Sequence, residues 1–528
     1  MNSARHARLC VPICVRRRSE LKEAFERAAP LADLVELRLD CLEPSELDAL
    51  SHPRELDALL RQSPRPLILT LRPSEQGGAR SLDLDERAQL WTRLCQSASG
   101  TEETTAEEET TQDHFADLEL DLLETLKQET LARLARRFVL ICSHHDFKGV
   151  PPSLDEIYER MTKTPARIFK IAVLANVVAD SLPIFRLLER ARAERRELIA
   201  VAMGEAGIPT RILAPSRGAY LTYGSLDATQ ATAPGQLSAA QLRRIYRIDF
   251  IDEQTLITGL VGSPVAHSLS PHMHNAAFAA CDVNAVYLPF EVRDAGDLMR
   301  RMVHPRTREL SWRLRGLSVT APHKSAVIPH LDWIEASARE IGAVNTLVVE
   351  GDAVRGYNTD AAAALAPLEK LLTIGGARVA VLGAGGAARA LLWALRERGA
   401  HATVFARDEA RARSTARDFD AQSASLAAAS FDGFDLVVNA TPLGTRGRHE
   451  NETPVSGVQL KGARLAYDLV YNPSETRFLR EARAAGCATA GGLSMLVAQA
   501  AAQFKLWTGT DAPLETMREA AEAAMSEL

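Results

Sequence analysis

Between residues 8 and 248 a short apolar, strand-forming run gives way eight times to a longer amphipathic stretch. The strand candidates are "RLCVPICV", "LVELRLD", "PLILTLR", "FADLELD", "FVLICSHHD", "RIFKIAVL", "ELIAVAMG" and "AYLTYGS". Stretches such as "SELKEAFERAAPLA" and "SLPIFRLLERARAERR" separate most of them and read as helices with one apolar face. Eight strand-helix units in about 240 residues have the length and rhythm of a (β/α)8 barrel, whose chemistry collects at the C-terminal ends of its strands. One interruption is the acidic run "GTEETTAEEETTQD" before the fourth strand, expected to be a solvated loop.

A second unit begins near Thr255 with the strand "LITGLVG". Further on, "GARVAVLGAGGAARALLWALRERGAHATVFARD" reads as strand, glycine turn, helix, strand, the first half of a dinucleotide-binding fold. The segment from Gly491 is helical and alanine-rich. The fold class expected is therefore α/β: an N-terminal TIM barrel followed by a two-lobed unit with a Rossmann-type domain.

Bulk properties narrow the function. A hydrophobic fraction of 46% and a charged fraction of 25% suit packed globular domains. The net charge of -6 gives no reason to expect nucleic acid as a partner. No apolar run has the roughly 18 residues of a membrane span, and the N-terminal apolar stretch, broken by Pro12, is too short for a signal-peptide core. The seven cysteines are scattered without a CxxC, so neither a disulfide framework nor a zinc site is expected. Small buried thiols in a reducing compartment are the expectation, which puts the chain in the cytoplasm. Nothing in the sequence specifies an oligomeric state.

The barrel's strand ends are unusually polar. Glu36 and Arg38 share one face of the second strand. Arg72 follows Thr70 at the end of the third, and His144 and His145 end the fifth. Lys170 sits within the sixth, Arg211 follows the seventh, and Thr232 and Gln236 lie in "ATAPGQ" after the eighth. Any one of these is commonly a structural ion pair or a capped loop. Several strands delivering such groups to one end point to an electropositive site for an anion such as a carboxylate. Lys170, flanked by apolar residues, is expected to be desolvated, with arginines nearby, so that its amine is freed as a nucleophile toward a ketone. A lysine snorkelling at a strand end is the plainer alternative. A histidine beside it would serve as proton shuttle. Strand alternation puts His145 on one face with Val139, Ile141 and Ser143, and His144 on the other, without saying which face looks inward.

"ELRLD", "TLRPSEQGG", "SHHDF", "KIAV" and "TAPGQ", in this order, resemble the type I 3-dehydroquinate dehydratases over nearly all of residues 8–248. The resemblance implies that Lys170 forms an imine with the C3 ketone of 3-dehydroquinate. It implies that His145 removes a C2 proton and helps expel the C1 hydroxyl as water, with Glu36 holding and tuning the histidine. Arg38, Arg72 and Arg211 would bind substrate hydroxyls and carboxylate, with Thr232 and Gln236 closing over them. Two positions depart from the family's pattern: Gln76 stands where a glutamate is frequent, and Thr232 where a serine is.

In the second unit, "GLVGSPVAHSLSPHMHNAAF" offers Ser268 and Ser270 in a turn, which turn chemistry alone also explains. "LSVTAPHKSAV", "IGAVNTLV" and "GYNTD" add Thr320, Lys324, Asn345 and Asp360, a set of hydroxyls, amides and a Lys/Asp pair suited to a polyhydroxylated acid. A lysine and an aspartate that can share a proton also suit hydride transfer to a ketone, because the developing alkoxide needs a proton. "VLGAGGAARA" follows a strand and opens a helix, as the dinucleotide fingerprint requires. Gly383, Ala384, Gly385, Gly386 and Ala387 would let backbone approach a pyrophosphate at the helix N-terminus. Arg407 and Arg411 follow the next strand, which favours a 2'-phosphate and hence NADP, with Asp408 between them.

"HSLSP", "VTAPHK", "GAVNTL", "GYNTD", "GAGGAARA", "NATPLG", "YDLVYNPSET" and "GGLSMLVAQAA" resemble shikimate dehydrogenase across residues 255–528. The resemblance implies that Ser268, Ser270, Thr320, Asn345, Tyr471 and Gln499 bind substrate and that Lys324 and Asp360 form the catalytic pair. Thr441, Leu469 and Gly492 would line the nicotinamide. Ser318 replaces a frequent asparagine, and Ala406-Arg407-Asp408 replaces a frequent Asn-Arg-Thr. The expected division is a barrel over residues 1–250, a substrate lobe over 255–360, an NADP-binding domain over 361–485, and helices over 486–528 that return to the substrate lobe.

The two resemblances interlock, since dehydrating 3-dehydroquinate yields the 3-dehydroshikimate that the second family reduces to shikimate. They imply a fused enzyme of the shikimate pathway with small-molecule substrates, NADP as cofactor, and neither metal, nucleic acid nor membrane as partner. Two alternatives differ: a catabolic quinate or shikimate dehydrogenase fusion using NAD, which kinetics with the two cofactors distinguish, and a metabolite-sensing regulator without catalysis. Lys170, His145, Lys324 and Asp360 argue against the regulator.

Overall fold

The computed structural model describes residues 7–95, 113–230 and 232–527, so the acidic run at 100–113 lies outside the described residues except for Asp113. The chain divides into two compact units, the first formed mainly by residues up to Thr255 and the second mainly by those from Leu256.

In the first unit eight strands are β1 (Leu9–Ile13), β2 (Leu34–Arg38), β3 (Leu67–Thr70), β4 (Phe115–Glu119), β5 (Val139–Asp146), β6 (Ile168–Leu174), β7 (Glu197–Met203) and β8 (Thr222–Tyr223). Each pairs in parallel with the next up to β7, and β1 also pairs with β8. A parallel bridge between Leu198 and Ala219 brings the approach to β8 against β7 and closes the barrel. The intervening helices start where their sequences supply caps: Asp83 accepts from the Glu86 amide while Glu86 reaches back to Asp83, ahead of the helix Leu84–Leu94.

Period-two alternation orders the interior. One apolar residue per strand packs into a plug: Cys10, Leu34, Ile68, Phe115, Ile141, Ile168, Ile199 and Tyr223. Two and four residues further along six of these strands, the same inward face carries Glu36 and Arg38, Thr70 and Arg72, Asp117 and Glu119, Ser143 and His145, Lys170 and Ala172, Val201 and Met203. A polar layer therefore lies above an apolar one, at the C-terminal end of the barrel.

The cysteines require a correction. Cys14 and Cys41 form a disulfide with Cα atoms 5.4 Å apart, against the expectation of thiols throughout. They follow β1 and β2, neighbouring strands whose register pairs Ile13 with Leu37, so that residues separated by 27 positions become adjacent. Sequence spacing could not show this, because the proximity comes from strand pairing. Cys10, Cys95, Cys142, Cys281 and Cys487 are free.

The second unit has two sheets. The first comprises β9 (Leu256–Gly262), β10 (Ala285–Glu291), β11 (Leu314–Val319), β12 (Trp333–Ile334), β13 (Thr346–Glu350) and β14 (Ala353–Tyr357), in the order β10-β9-β11-β13-β14-β12. The second comprises β15 (Arg378–Leu382), β16 (His401–Ala406), β17 (Gln422–Ser425), β18 (Leu436–Asn439), β19 (Leu465–Asp468) and β20 (Ala488–Ala490), all parallel, in the order β17-β16-β15-β18-β19-β20. The chain passes from β15 to β16 on one side and β18 lies on the other, which opens a crevice at the C-terminal end of β15. This sheet reaches Ala490, past residue 485. The helices Leu493–Thr508 and Leu514–Glu527 pack back on the first sheet, where Phe504, Trp507 and Met517 share one core with Leu260, Phe278, Tyr287 and Val348. Among the described residues no helix is long and apolar enough to cross a membrane.

The seam between the last helices and the first sheet is tight at Gly316. Trp507 Nε1 donates to Leu347 O at 3.0 Å. A Cβ on Gly316 would meet that Nε1 at 2.2 Å and the Leu347 carbonyl oxygen at 2.3 Å. Backbone cannot yield cheaply there, so Gly316→Ala is expected to destabilise the second unit by about 1–3 kcal/mol through overpacking. Chemical denaturation followed by pulsed hydrogen exchange of the helix Leu493–Thr508 checks this; an unchanged midpoint would show that the seam is loose.

Candidate active sites

Two cavities gather the residues singled out in the sequence. The barrel cavity is lined by Glu36, Arg38, Arg72, His145, Lys170, Arg211, Thr232 and Gln236, with Gln76, Phe147 and Tyr223 among their neighbours. His145 faces in because it lies four residues beyond Ile141 of the plug, whereas His144 lies on the other face of β5.

Lys170 is buried at the level of Ser143 in the neighbouring strand. Its Nζ donates to Asp117 Oδ2 at 2.9 Å and lies 3.5 Å from Glu36 Oε1 and 4.5 Å from the centre of the Tyr223 ring. The lysine is desolvated, but carboxylates and a ring surround its ammonium where arginines were expected. Glu36 likewise addresses Lys170, a different partner from the histidine that the family resemblance implied. Asp117 Oδ2 also accepts from Arg72 Nη2 at 2.8 Å. Burial alone would raise the Asp117 pKa, but Arg72, Lys170 and His145 outweigh it and hold the carboxyl well below its usual range.

Three arginines meet different fates. Arg38 is clamped by Asp40 through Nε at 2.9 Å and Nη2 at 2.8 Å. Arg72 spends Nη1 on Glu119 and Ser143 and one Nη2 hydrogen on Asp117. Burial opposes its charge, yet Asp117, Glu119 and Glu36 raise its pKa above the ordinary arginine value. Arg211 is buried and donates to the Pro234 carbonyl at 3.3 Å, with its Nε unpartnered. Burial pushes its pKa down to about 10, and no described carboxylate offsets that. The site is thus less electropositive than expected: Lys170, Arg38 and Arg72 are compensated, and among the described lining residues Arg211 is the cation without a carboxylate partner.

Other buried polar atoms in this layer also lack partners: His145 Nδ1, Gln76 Oε1 and Asp117 Oδ1. Unpaired buried polar groups are costly, so this arrangement suits a ligand rich in hydroxyls. Burial, with Arg72 and Lys170 beside it, holds the His145 pKa well below the usual histidine value against the pull of Asp117. A neutral imidazole at neutral pH is the form that accepts a proton. Thr232 and Gln236 form one loop, in which Gln236 Oε1 accepts from the Thr232 amide at 2.8 Å and hydroxyl at 3.2 Å.

The second cavity is lined by Ser268, Ser270, Thr320, Lys324, Asn345, Asp360, Tyr471 and Gln499, together with Ala387, Thr441, Leu469 and Gly492. Lys324 follows β11 in a run of turns, and Asp360 opens the helix Asp360–Leu365. Lys324 Nζ donates to Asp360 Oδ2 at 2.5 Å, and Asn345 Nδ2 donates to Asp360 Oδ1 at 2.8 Å. Asn345 Oδ1 accepts from the Thr359 amide, which fixes the strand-to-helix turn. The Ser270 amide donates to Ser268 Oγ at 3.2 Å, and burial pushes the Tyr471 phenol up. Ser318 does not open to the cavity alone: its hydroxyl accepts from Tyr287 and donates to Gln503 Oε1 at 2.7 Å.

The glycine turn fits a dinucleotide. Gly383 has φ +115°, and a Cβ there would meet Ala440 O at 2.9 Å. A Cβ on Gly385 would project into open space, and one on Gly386 would meet Lys324 Cδ at 3.3 Å. Gly383, Ala384, Gly385 and Gly386 thus leave an open cradle ahead of the helix Gly386–Glu397, whose first amides lack intrahelical acceptors. Arg407 and Arg411 are exposed beyond β16, and Asp408 between them caps the next helix, accepting from the Arg411 amide at 3.0 Å. Among the described residues no group of three or more His, Cys, Asp or Glu is arranged to hold a metal ion.

Sequence reasoning missed Asp117, Glu119, Tyr223, Gln503 and Asp468. For the first two a signal existed: acids two apart in "FADLELD" share one face of a strand otherwise apolar. Asp468 is fully buried at the end of β19 and accepts from Thr476 Oγ1 at 2.5 Å, Asn439 Nδ2 at 2.9 Å and the Val470 amide at 3.0 Å. Asn439 in turn fixes Thr441, so one carboxylate braces both loops on the cofactor side of the cavity.

A lysine-centred barrel joined to a two-lobed dehydrogenase defines the class, and comparison with known proteins agrees. Residues 9–253 match the model for type I 3-dehydroquinase, residues 260–347 that for the shikimate dehydrogenase substrate binding domain, and residues 492–522 that for the shikimate 5'-dehydrogenase C-terminal domain. The bifunctional 3-dehydroquinate dehydratase/shikimate dehydrogenase, chloroplastic, of Arabidopsis thaliana is 32% identical over 96% of this chain and 83% of its own length. The NADP(+) shikimate dehydrogenase of Moorella thermoacetica is 42% identical over 52% of this chain and 95% of its own. A crystal structure of shikimate 5-dehydrogenase from Thermus thermophilus in complex with NADP(H) and shikimate aligns over 51% of this chain with 37% identity and a TM-score of 0.47. The chain belongs to the family of bifunctional 3-dehydroquinate dehydratase/shikimate dehydrogenases.

His145→Ala should abolish dehydration and leave reduction intact, whereas His144→Ala, on the outer face of β5, should cost less than tenfold in dehydration; separate steady-state assays of the two activities check this, and equal losses would refute the assignment. Burial raises the Asp468 pKa to about 6, above its unfolded value, so the stability tied to its neutral form is present at acid pH and lost as pH rises through about 6. Asp468→Asn keeps a neutral group there. Unfolding free energies should therefore shift in favour of the variant, by on the order of 3 kcal/mol, between pH 4 and pH 8. A variant and parent with parallel pH profiles would show that the carboxylate is not so perturbed.

Proposed function

We propose that the chain catalyses two consecutive steps of the shikimate pathway: dehydration of 3-dehydroquinate in the barrel, then reduction of 3-dehydroshikimate to shikimate with NADPH in the second unit. The observation that carries the reading is one chain holding both a buried lysine in a polar barrel mouth and a Lys324–Asp360 pair beside a dinucleotide cradle. The product of the first site is the ketone that the second would reduce.

In the barrel, Lys170 attacks the C3 ketone and becomes an imine, which makes the neighbouring C2 proton acidic. His145, neutral because of its burial, takes that proton and returns one to the departing C1 hydroxyl, which leaves as water. Arg211 supplies the positive charge that the substrate carboxylate needs. Glu36 and Asp117 hold Lys170, and Arg38 and Arg72, anchored by Asp40, Asp117 and Glu119, present their remaining donors to substrate hydroxyls. Thr232 and Gln236 close the mouth.

In the second unit, Ser268, Ser270, Thr320, Asn345, Tyr471 and Gln499 hold the substrate, while Lys324 and Asp360 supply a proton to the carbonyl oxygen as it becomes an alcohol. NADPH supplies the hydride when bound, and Gly383 to Ala387, Thr441, Leu469 and Gly492 would hold it. Arg407 and Arg411, with the Asp408 carboxylate occupied in capping, support a 2'-phosphate over a bare ribose hydroxyl. The domain limits we propose follow this division: a barrel to about residue 250, a substrate lobe to 360, a cofactor domain and a returning C-terminal helical pair. We propose the cytoplasm as the setting, on the four buried free thiols, with the Cys14–Cys41 disulfide as the feature that weighs the other way.

The test is covalent trapping. The full chain is incubated with 3-dehydroquinate and borohydride, digested and analysed by mass spectrometry. A reduced adduct is expected on Lys170 and is expected to vanish in Lys170→Ala; a folded protein without an adduct would sink the dehydratase mechanism.

A further inference from the structure

We propose that the aromatic ring of Tyr223 is a catalytic group of the barrel, its face stabilising the positive charge of the Schiff base at Lys170. The proposal rests on the dehydratase reading above. Tyr223 comes from the short closing strand β8, in register with Cys10 of the apolar plug, directly below the polar layer. The residue is buried, it lines the barrel cavity, and its ring centre lies 4.5 Å from Lys170 Nζ.

The chemistry of the step singles out the ring among the lysine's neighbours. In imine formation a C–N bond forms between Nζ and the ketone carbon, a C–O bond breaks, and the oxygen leaves as water. The nitrogen is left with one hydrogen and a positive charge. The ammonium has three N–H donors, one of them on Asp117, with the Glu36 carboxylate at 3.5 Å, but the iminium has one. A carboxylate hydrogen-bonded through a lost hydrogen loses that part of its grip. A ring face attracts the charge itself and needs no hydrogen, so its hold carries over from ammonium to iminium. Burial places the pair in the desolvated setting where such contacts are strongest. The lysine meets the ring and not the hydroxyl.

The experiment compares Tyr223→Phe, Tyr223→Leu and the chain carrying mono-, di- or pentafluorophenylalanine at position 223. Each is given 3-dehydroquinate with borohydride, the adduct on Lys170 is quantified by mass spectrometry, and kcat for dehydration is measured. Tyr223→Phe should stay within about twofold of the parent, and Tyr223→Leu should fall about tenfold or more in both readouts. Fluorine draws electrons from the ring face at nearly constant shape, so the fluorinated series should fall stepwise even where the leucine variant fails to fold. A flat series, a folded leucine variant equal to Tyr223→Phe, or a phenylalanine variant as impaired as leucine would each overturn the proposal. Absence of adduct in the parent would instead remove the Schiff-base reading on which it stands.

Discussion

A single oxygen, Asp117 Oδ2, accepts from Lys170 Nζ at 2.9 Å and from Arg72 Nη2 at 2.8 Å, and the rest of the barrel's chemistry depends on that sharing. Charges buried without partners cost several kcal/mol each, so a polar layer inside a barrel persists only if its cations and anions are matched. Arg72 links Asp117 to Glu119, Arg87 also donates to Glu119, and Asp40 clamps Arg38. The chain of pairs runs across β2, β3 and β4 to β6 and leaves Arg211 outside it. Among the described residues no carboxylate pairs with Arg211, which is the observation behind the proposal that the substrate carboxylate binds there.

The same sharing decides where a proton from Lys170 can go. The amine attacks a ketone only after losing one, and Asp117 is nearest. Yet Arg72, Lys170 and His145 together hold Asp117 well below the ordinary carboxylate range, which makes it a poor acceptor. Its role is to hold the lysine in place. Burial and the neighbouring cations keep the His145 imidazole neutral, and in the mechanism proposed for the barrel it is the group that takes the substrate proton. On that proposal, holding and proton transfer fall to different residues of one layer.

In the second unit the equivalent constraint is amide chemistry. Asn345 orients Asp360 with its Nδ2 and pins the Thr359 amide with its Oδ1, so the acid that faces Lys324 has one available position. Gln503, from the helix Leu493–Thr508, donates to the Asn345 carbonyl at 3.4 Å and to Thr346 Oγ1 at 3.1 Å while accepting from Ser318. The helix Leu493–Thr508 is in this way a structural part of the substrate side, although the cofactor domain lies between them in sequence. Asp468 does the corresponding work for the loops on the cofactor side.

Much of this was legible in the sequence, and the limits have physical causes. The strand number of the barrel and the glycine turn follow from local periodicity and motif, and most of the candidate residues named from motifs and family resemblance line the two cavities. What escaped was pairing across elements: the Cys14–Cys41 bond, the carboxylates around Lys170, and the Gln503 bridge all join residues whose proximity is created by strand order or helix return. The two adjacent histidines show the boundary. Alternation separates His144 from His145 but supplies no origin for counting inward and outward faces. Ile141 provides that origin, because it belongs to a plug with one residue from each strand, and such a plug exists only once the eighth strand meets the first. The catalytic face of a barrel strand is therefore a property of closure, and it becomes readable only when the apolar layer beneath it is known.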